Sequence, residues 1–199
     1  MSINVCNDRS MASITSFPSG VSGSSLVLIS TQTASSSATI SFTSGIDSTY
    51  KEYIFKFYDI HPSADAVEFQ FNLSVDSGSN YNVTKTTTFF RATNLESDSN
   101  AFSYRTGNDL AQSTAFQMLL DGVGNDDDSS ACGTLHLFNP SDTTFIKHFL
   151  TRNVSHQYES GLRDCFMAGF GDTTSAINSV QFKMSSGTFN GLIKLYGIS

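Results

Sequence analysis

The residues able to do chemistry in this chain are few and poorly assembled. The densest group is the acidic run Asn125-Asp126-Asp127-Asp128. Carboxylate oxygens are the ligands that hard cations take, so Asp126, Asp127 and Asp128 are the first metal candidates. Adjacent side chains diverge, however, and the D-x-D-x-D-G spacing of a calcium loop is missing, so the run reads as a solvated charged loop. His136 and His148 are the second candidates. A turn at Asn139-Pro140-Ser141-Asp142 puts both on one face of neighbouring strands. Zinc needs three or four ligands, and no further His or Cys is spaced to complete a set. Neither a metal nor a cofactor is expected.

Catalytic patterns are missing as well. The chain has no G-x-S-x-G, G-x-x-x-x-G-K, H-E-x-x-H or C-x-x-C. A glycosidase needs two carboxylates across one cleft, and no spacing among the 18 Asp and Glu selects a pair. The expectation is a protein that is not an enzyme. Aromatic side chains are the remaining candidates, because sugars stack on them. Tyr53, Phe55 and Phe57 share strand parity and read as core. Tyr81, Tyr104 and Tyr158 fall in loop-like stretches and are the better sugar contacts.

The elements that must position these residues read as strands. The composition of 17 Phe, 7 Tyr, 14 Gly and only 3 Pro, with Ser and Thr between the apolar stretches, suits pleated surfaces joined by turns. Strands are predicted at Leu26–Ser30, Ala38–Thr43, Tyr53–Ile60, Val67–Asp76, Thr84–Arg91, Phe116–Leu120, Cys132–Phe138, Phe145–Val154, Arg163–Phe170, Ser179–Ser185 and Gly191–Tyr196. In Val67–Asp76 the alternation is strict, with Val67, Phe69, Phe71, Leu73 and Val75 facing a core and the polar residues facing water. Asp109–Asp121 is the best helical candidate. The stretch Ser77–Ser130 is expected to hold long loops. So many strands without intervening helices predict an all-β fold, an antiparallel β-sandwich of jelly-roll type spanning residues 26–199.

Residues 1–25 lack sustained periodicity and read as an extended N-terminal arm or attachment segment. Ile3, Val5, Met11, Ile14 and Phe17 are its apolar anchors for docking on another protein. The net charge of −7 and the singly scattered Lys and Arg speak against nucleic acid and anionic membranes as partners. No basic run precedes an apolar one near the start, so no signal-peptide pattern is present. Cys6, Cys132 and Cys165 read as free thiols of a reducing cytoplasm, a Cys132–Cys165 bridge being the alternative. The sequons at Asn72, Asn82 and Asn153 read as chance matches in a Ser/Thr-rich chain.

Three stretches carry a likeness. LVLISTQTASSSATISFTSGIDSTYKEYIFKFYDI, LFNPSDTTFIKHF and the closing SVQFKMSSGTFNGLIKLYGIS resemble a group of small tailed-phage and prophage virion surface proteins. The resemblance covers Leu26 to Ser199 except Ser77–Ser130, and brings no catalytic residues. It implies a β-sandwich virion component similar to tail-fibre heads or head-decoration proteins. Such a component is expected to be a homotrimer held to other virion proteins by its arm, and to reach a host cell-surface glycan or protein. A capsid cement protein with a stabilising role and a stand-alone carbohydrate-binding module are the alternatives.

Overall fold

The computed structural model describes residues 26–198. The arm anchors Ile3, Val5, Met11, Ile14 and Phe17, and Cys6, lie outside the described residues. Twelve strands make up the fold: β1 (Leu26–Ser37), β2 (Thr39–Phe42), β3 (Glu52–Pro62), β4 (Val67–Ser74), β5 (Lys85–Leu95), β6 (Asn100–Tyr104), β7 (Gln117–Val123), β8 (Ala131–Phe138), β9 (Lys147–Gln157), β10 (Gly161–Gly171), β11 (Ser179–Met184) and β12 (Phe189–Ile198). No helix occurs among the described residues.

All pairings are antiparallel, and their order is nested. β1 pairs with β12, β2 with β11, β3 with β8 and β4 with β7. Folding these pairs over gives a β1-β12-β3-β8 sheet facing a β2-β11-β4-β7 sheet. That is jelly-roll connectivity, as the strand count led us to expect. A kink at Ala38 separates β1 from β2 and carries the chain from one sheet to the other. On the opposite side the sheets meet through one residue pair, Val123 with Gln157. The result is an almost closed barrel.

Two hairpins are inserted into this frame. β5–β6 lies between β4 and β7, and β9–β10 between β8 and β11. β10 pairs with β5 from Gly161↔Leu95 to Gly171↔Lys85. The large sheet therefore continues as a flap, β9-β10-β5-β6.

Between the β2-β11-β4 strands and the β3-β12 half of the large sheet, the core is aromatic. Phe182 touches Phe42, Phe55, Phe57 and Phe69 at ring-centroid distances from 5.1 to 6.2 Å. Phe69 also meets Phe57 and Phe189 edge-on. Each such pair contributes roughly 0.5–1.5 kcal/mol beyond area burial. Tyr53, Phe55 and Phe57 are buried as their parity predicted.

The structure corrects several expectations. Asp109–Asp121 is not a helix. Its backbone is engaged by β5, with Leu110 N–H donating to Thr87 Oγ1 and Ser113 exchanging two bonds with Lys85. Its second half is β7, buried on both faces, where periodicity cannot separate strand from helix. β6 arises inside the stretch read as loops. The polar face of β4 is also not open to water throughout: Asn72 and Ser74 are fully buried. Asn72 Nδ2 donates to Tyr81 O and Thr114 O, and its Oδ1 accepts from Lys85 Nζ at 2.5 Å. Lys85 Nζ also donates to Val83 O. Two acceptors match the two N–H groups of a neutral amine, and burial lowers this lysine's pKa to about 7.

Candidate functional site

The sequence-derived candidates are scattered over the fold. Asp126, Asp127 and Asp128 are exposed in the turn between β7 and β8. His136 and His148 do lie on one face of neighbouring strands. His136 hydrogen-bonds Glu52 at 2.6 Å, however, and His148 packs edge-on against Phe170. Among the described residues no three His, Cys, Asp or Glu come together as a metal site. Cys132 and Cys165 are free. Cys165 stands opposite Asn153, and Cys132 opposite the next residue, Val154, so the two thiols point to opposite faces. Asn72 and Asn153 are buried, so neither sequon is open to glycosylation. Tyr81 turns its hydroxyl inward, where it has no hydrogen-bond partner. Tyr104 donates to Asp109 at 2.5 Å, which raises its pKa.

Tyr158 is the sequence candidate that reaches a site. It borders a polar cleft of about 490 Å³ where β7 crosses the inner face of the flap. Arg91 and Arg163 point inward from β5 and β10. Asp121 and Gly122 come from β7, and Arg105 and Asn108 from the loop after β6. Three of the chain's five arginines thus converge on one cleft. Scattered along the sequence, they gave no basic cluster. One cue was present: Arg163 shares strand parity with Cys165 and Met167, and Arg91 with Phe89, so both occupied core-facing positions.

Asp121 organises the cleft. Its carboxylate meets Arg91 Nη1 at 2.5 Å and Arg163 Nη1 at 3.5 Å, and its main-chain carbonyl accepts from Arg163 Nη1 at 2.9 Å. Arg163 is 4% exposed, and burial lowers its pKa despite the opposing Asp121 charge. Gly122 makes room for it. At φ +60° this residue occupies the left-handed region, and a Cβ would collide with Arg163 Nη1 and come within 3.1 Å of the Tyr158 ring. The Tyr158 ring lies 6.0 Å from the Arg163 guanidinium, within cation–π range.

The donors are only partly used. Arg163 Nη2 lies 3.8 Å from Glu159, beyond hydrogen-bond length, and its Nε has no partner. The Arg105 side chain makes no hydrogen bond or ion pair with any described residue. Behind the cleft, on the inner face of the flap, Thr93 Oγ1, Asn153 Oδ1, Ser155 Oγ and both polar atoms of the Gln157 amide are also buried without partners.

A second feature lies on the opposite, outer face of the flap. Phe90, Phe102, Tyr104 and Phe166 form a ring cluster with centroid distances from 5.1 to 6.2 Å. Phe102 is 66% exposed, and Leu150 and Leu162 extend the apolar surface. Strand register builds this cluster: Phe166 stands opposite Phe90, and Phe90 opposite Tyr104.

No family model, curated protein or solved structure matches the chain.

Proposed function

We propose that this chain is a non-enzymatic structural component of a tailed-phage particle, displayed on its surface and in contact with the host. The uncovered aromatic face of the flap is the observation that carries this reading. Monomeric proteins rarely leave contiguous large apolar patches open to water, and a subunit packed in an assembly covers them. Homotrimeric packing is the arrangement we favour, because a closed ring also hides free strand edges such as β6. The stretches that resemble phage virion proteins fall on the frame strands β1–β3, β8, β11 and β12 and on the start of the inserted β9. The unmatched stretch Ser77–Ser130 supplies β5, β6 and β7, and with them much of the cleft and the aromatic face.

The side-chain chemistry supports a role other than catalysis. Asp121 is committed to two arginines and is not a free base. Burial pushes the Cys165 thiol far up, with Asp121 adding to the shift, so it is no thiolate nucleophile. Ser129 Oγ lies 2.8 Å from His156 Nδ1, a spacing that suits a nucleophile and its base. Ser129 is 2% exposed, and among the described residues no carboxylate hydrogen-bonds to His156 to orient the ring.

Micrographs of particles labelled with antibody to this chain test the reading. Label at a fixed place on the particle surface is the expected result. Particles free of label, with all the protein in the soluble fraction of lysed cells, overturn it.

A further inference from the structure

We infer that the cleft between β7 and the flap binds a saccharide bearing a single carboxylate, with Arg105 and Arg163 holding the carboxylate and Tyr158 stacking on the sugar ring. The argument begins with unspent donors. Guanidinium groups present a planar fork that matches a carboxylate. Arg91 is paired with Asp121 through Nη1, whereas the Arg105 side chain has no partner among the described residues, and Arg163 Nη2 has only the 3.8 Å approach of Glu159.

The site is built rather than accidental. Arg163 is 4% exposed and fixed by the Asp121 carbonyl and carboxylate, and Gly122 at φ +60° leaves the space it fills. Holding a guanidinium this deep costs desolvation. An anion arriving in the cleft regains part of that cost.

The charge balance narrows the ligand. The lining holds three arginines against Asp121, Glu68 and Glu159, so the cleft as a whole is near neutral. Polyphosphates and nucleic acid favour strongly basic sites. One negative charge directed at Arg105 and Arg163, with hydroxyls around it, fits better. The Asn108 amide N–H groups are taken by Met118 Sδ and Asp121, but its Oδ1, Glu68 and Glu159 can accept from such hydroxyls. Tyr158 is 43% exposed and offers a ring face at the cleft wall. A volume of about 490 Å³ lies within the usual range for small-molecule sites.

The inference deepens the proposed function by naming the ligand class, and rests on it only for which cell carries the saccharide. The test uses the full chain and three probes, D-glucuronate, D-galacturonate and N-acetylneuraminate, each titrated to 20 mM by ligand-observed NMR. At least one should bind, and its methyl ester should bind ten-fold or more weakly. Arg105→Ala should lose ten-fold or more in affinity with its melting temperature unchanged, and Arg105→Lys should recover part of the loss. Tyr158→Ala should weaken binding of the acid and the ester alike. Failure of all three acids to bind, equal binding of acid and ester, or full affinity in folded Arg105→Ala overturns the inference. A probe that binds while particles carry no label keeps the site and removes the virion reading. Labelled particles whose protein binds no probe do the reverse.

Discussion

The interior of this jelly roll is built in two manners. Around Phe182 it is aromatic and dry, and each ring is satisfied by its neighbours. Between β7 and the flap it is polar, with an arginine at 4% exposure, a carboxylate shared by two guanidiniums and several polar atoms without partners. Burial of apolar surface is non-directional and favourable, whereas a buried unsatisfied donor or acceptor costs about 1–3 kcal/mol. The first region therefore holds the fold together and the second weakens it. Regions that cost stability yet are built with fixed geometry are where binding is to be sought.

The largest effect should come from the aromatic side. Phe182→Ala removes a ring that touches four others and should destabilise by about 3–5 kcal/mol in urea unfolding. The folded fraction should bind saccharide as before. A loss below about 1 kcal/mol would mean that the rings do not act as one packed unit.

Asp121→Asn attacks the polar side. It leaves Arg91 and Arg163 without their counter-charge, and removing one partner of a buried pair costs about 3–5 kcal/mol. Here the carboxylate is 12% exposed, so the lower end of that range is expected. Carboxylate affinity should change in this variant, unlike in Phe182→Ala. If both substitutions alter stability alone, the division between a stabilising and a binding region fails.

How far these regions were legible in the sequence follows from their chemistry. Val180, Phe182 and Met184 alternate with polar residues, and a period of two says strand and says which face is buried. Strand count pointed to two packed sheets of jelly-roll type, and Asn139–Asp142 marked the turn from β8 to β9, but the nested pairing joins strands far apart in sequence and had no local signal. β7 was legible as the strand Phe116–Leu120, but a strand covered on both sides lacks alternation, so the same stretch also read as the end of a helix; β6 was missed because five residues among Asp and Ser carry little pattern. The cleft was hidden for another reason. Arg91, Arg105, Asp121 and Arg163 are far apart in sequence, and only the pairing of β10 with β5 and the crossing of β7 bring them together. Of the three tyrosines singled out as sugar contacts, the register placed Tyr158 beside the arginines and Tyr104 on the other face.

Lys85 gives a smaller and pH-dependent effect. Its pKa is lowered by burial from 10.5 to about 7. Between those values the unfolded chain holds a proton that the folded chain lacks, so unfolding takes up a proton and stability rises with pH. The slope should approach about 1.4 kcal/mol per pH unit above pH 7 and level off below it, where the amine is charged in both states. Unfolding midpoints of the parent and Lys85→Met at pH 7, 8 and 9 check this. The variant should lose that rise. An equal rise in both would show that Lys85 is charged when folded and that its two acceptors do not hold a neutral amine.

The smallest effect should come from the most conspicuous charges. Asp126, Asp127 and Asp128 are exposed, and their side chains make no hydrogen bond or ion pair with any described residue; the turn is closed by the main chain, Ser129 N–H donating to Asp126 O at 2.8 Å. Exposed like charges repel one another only weakly through water and salt. Replacing all three by Asn removes three negative charges, yet stability should move by no more than about 0.5 kcal/mol, because surface substitutions away from caps and buried pairs rarely do more. Calcium and chelator should leave the melting temperature of parent and triple variant alike within about 1 °C, since an ion bound only by the native state would raise it. A rise of several degrees with calcium in the parent, absent from the variant, would make this run a metal site after all. Without that rise, Asp121 alone outweighs three exposed aspartates, because burial and two arginine partners, rather than the number of charges, set what a carboxylate contributes.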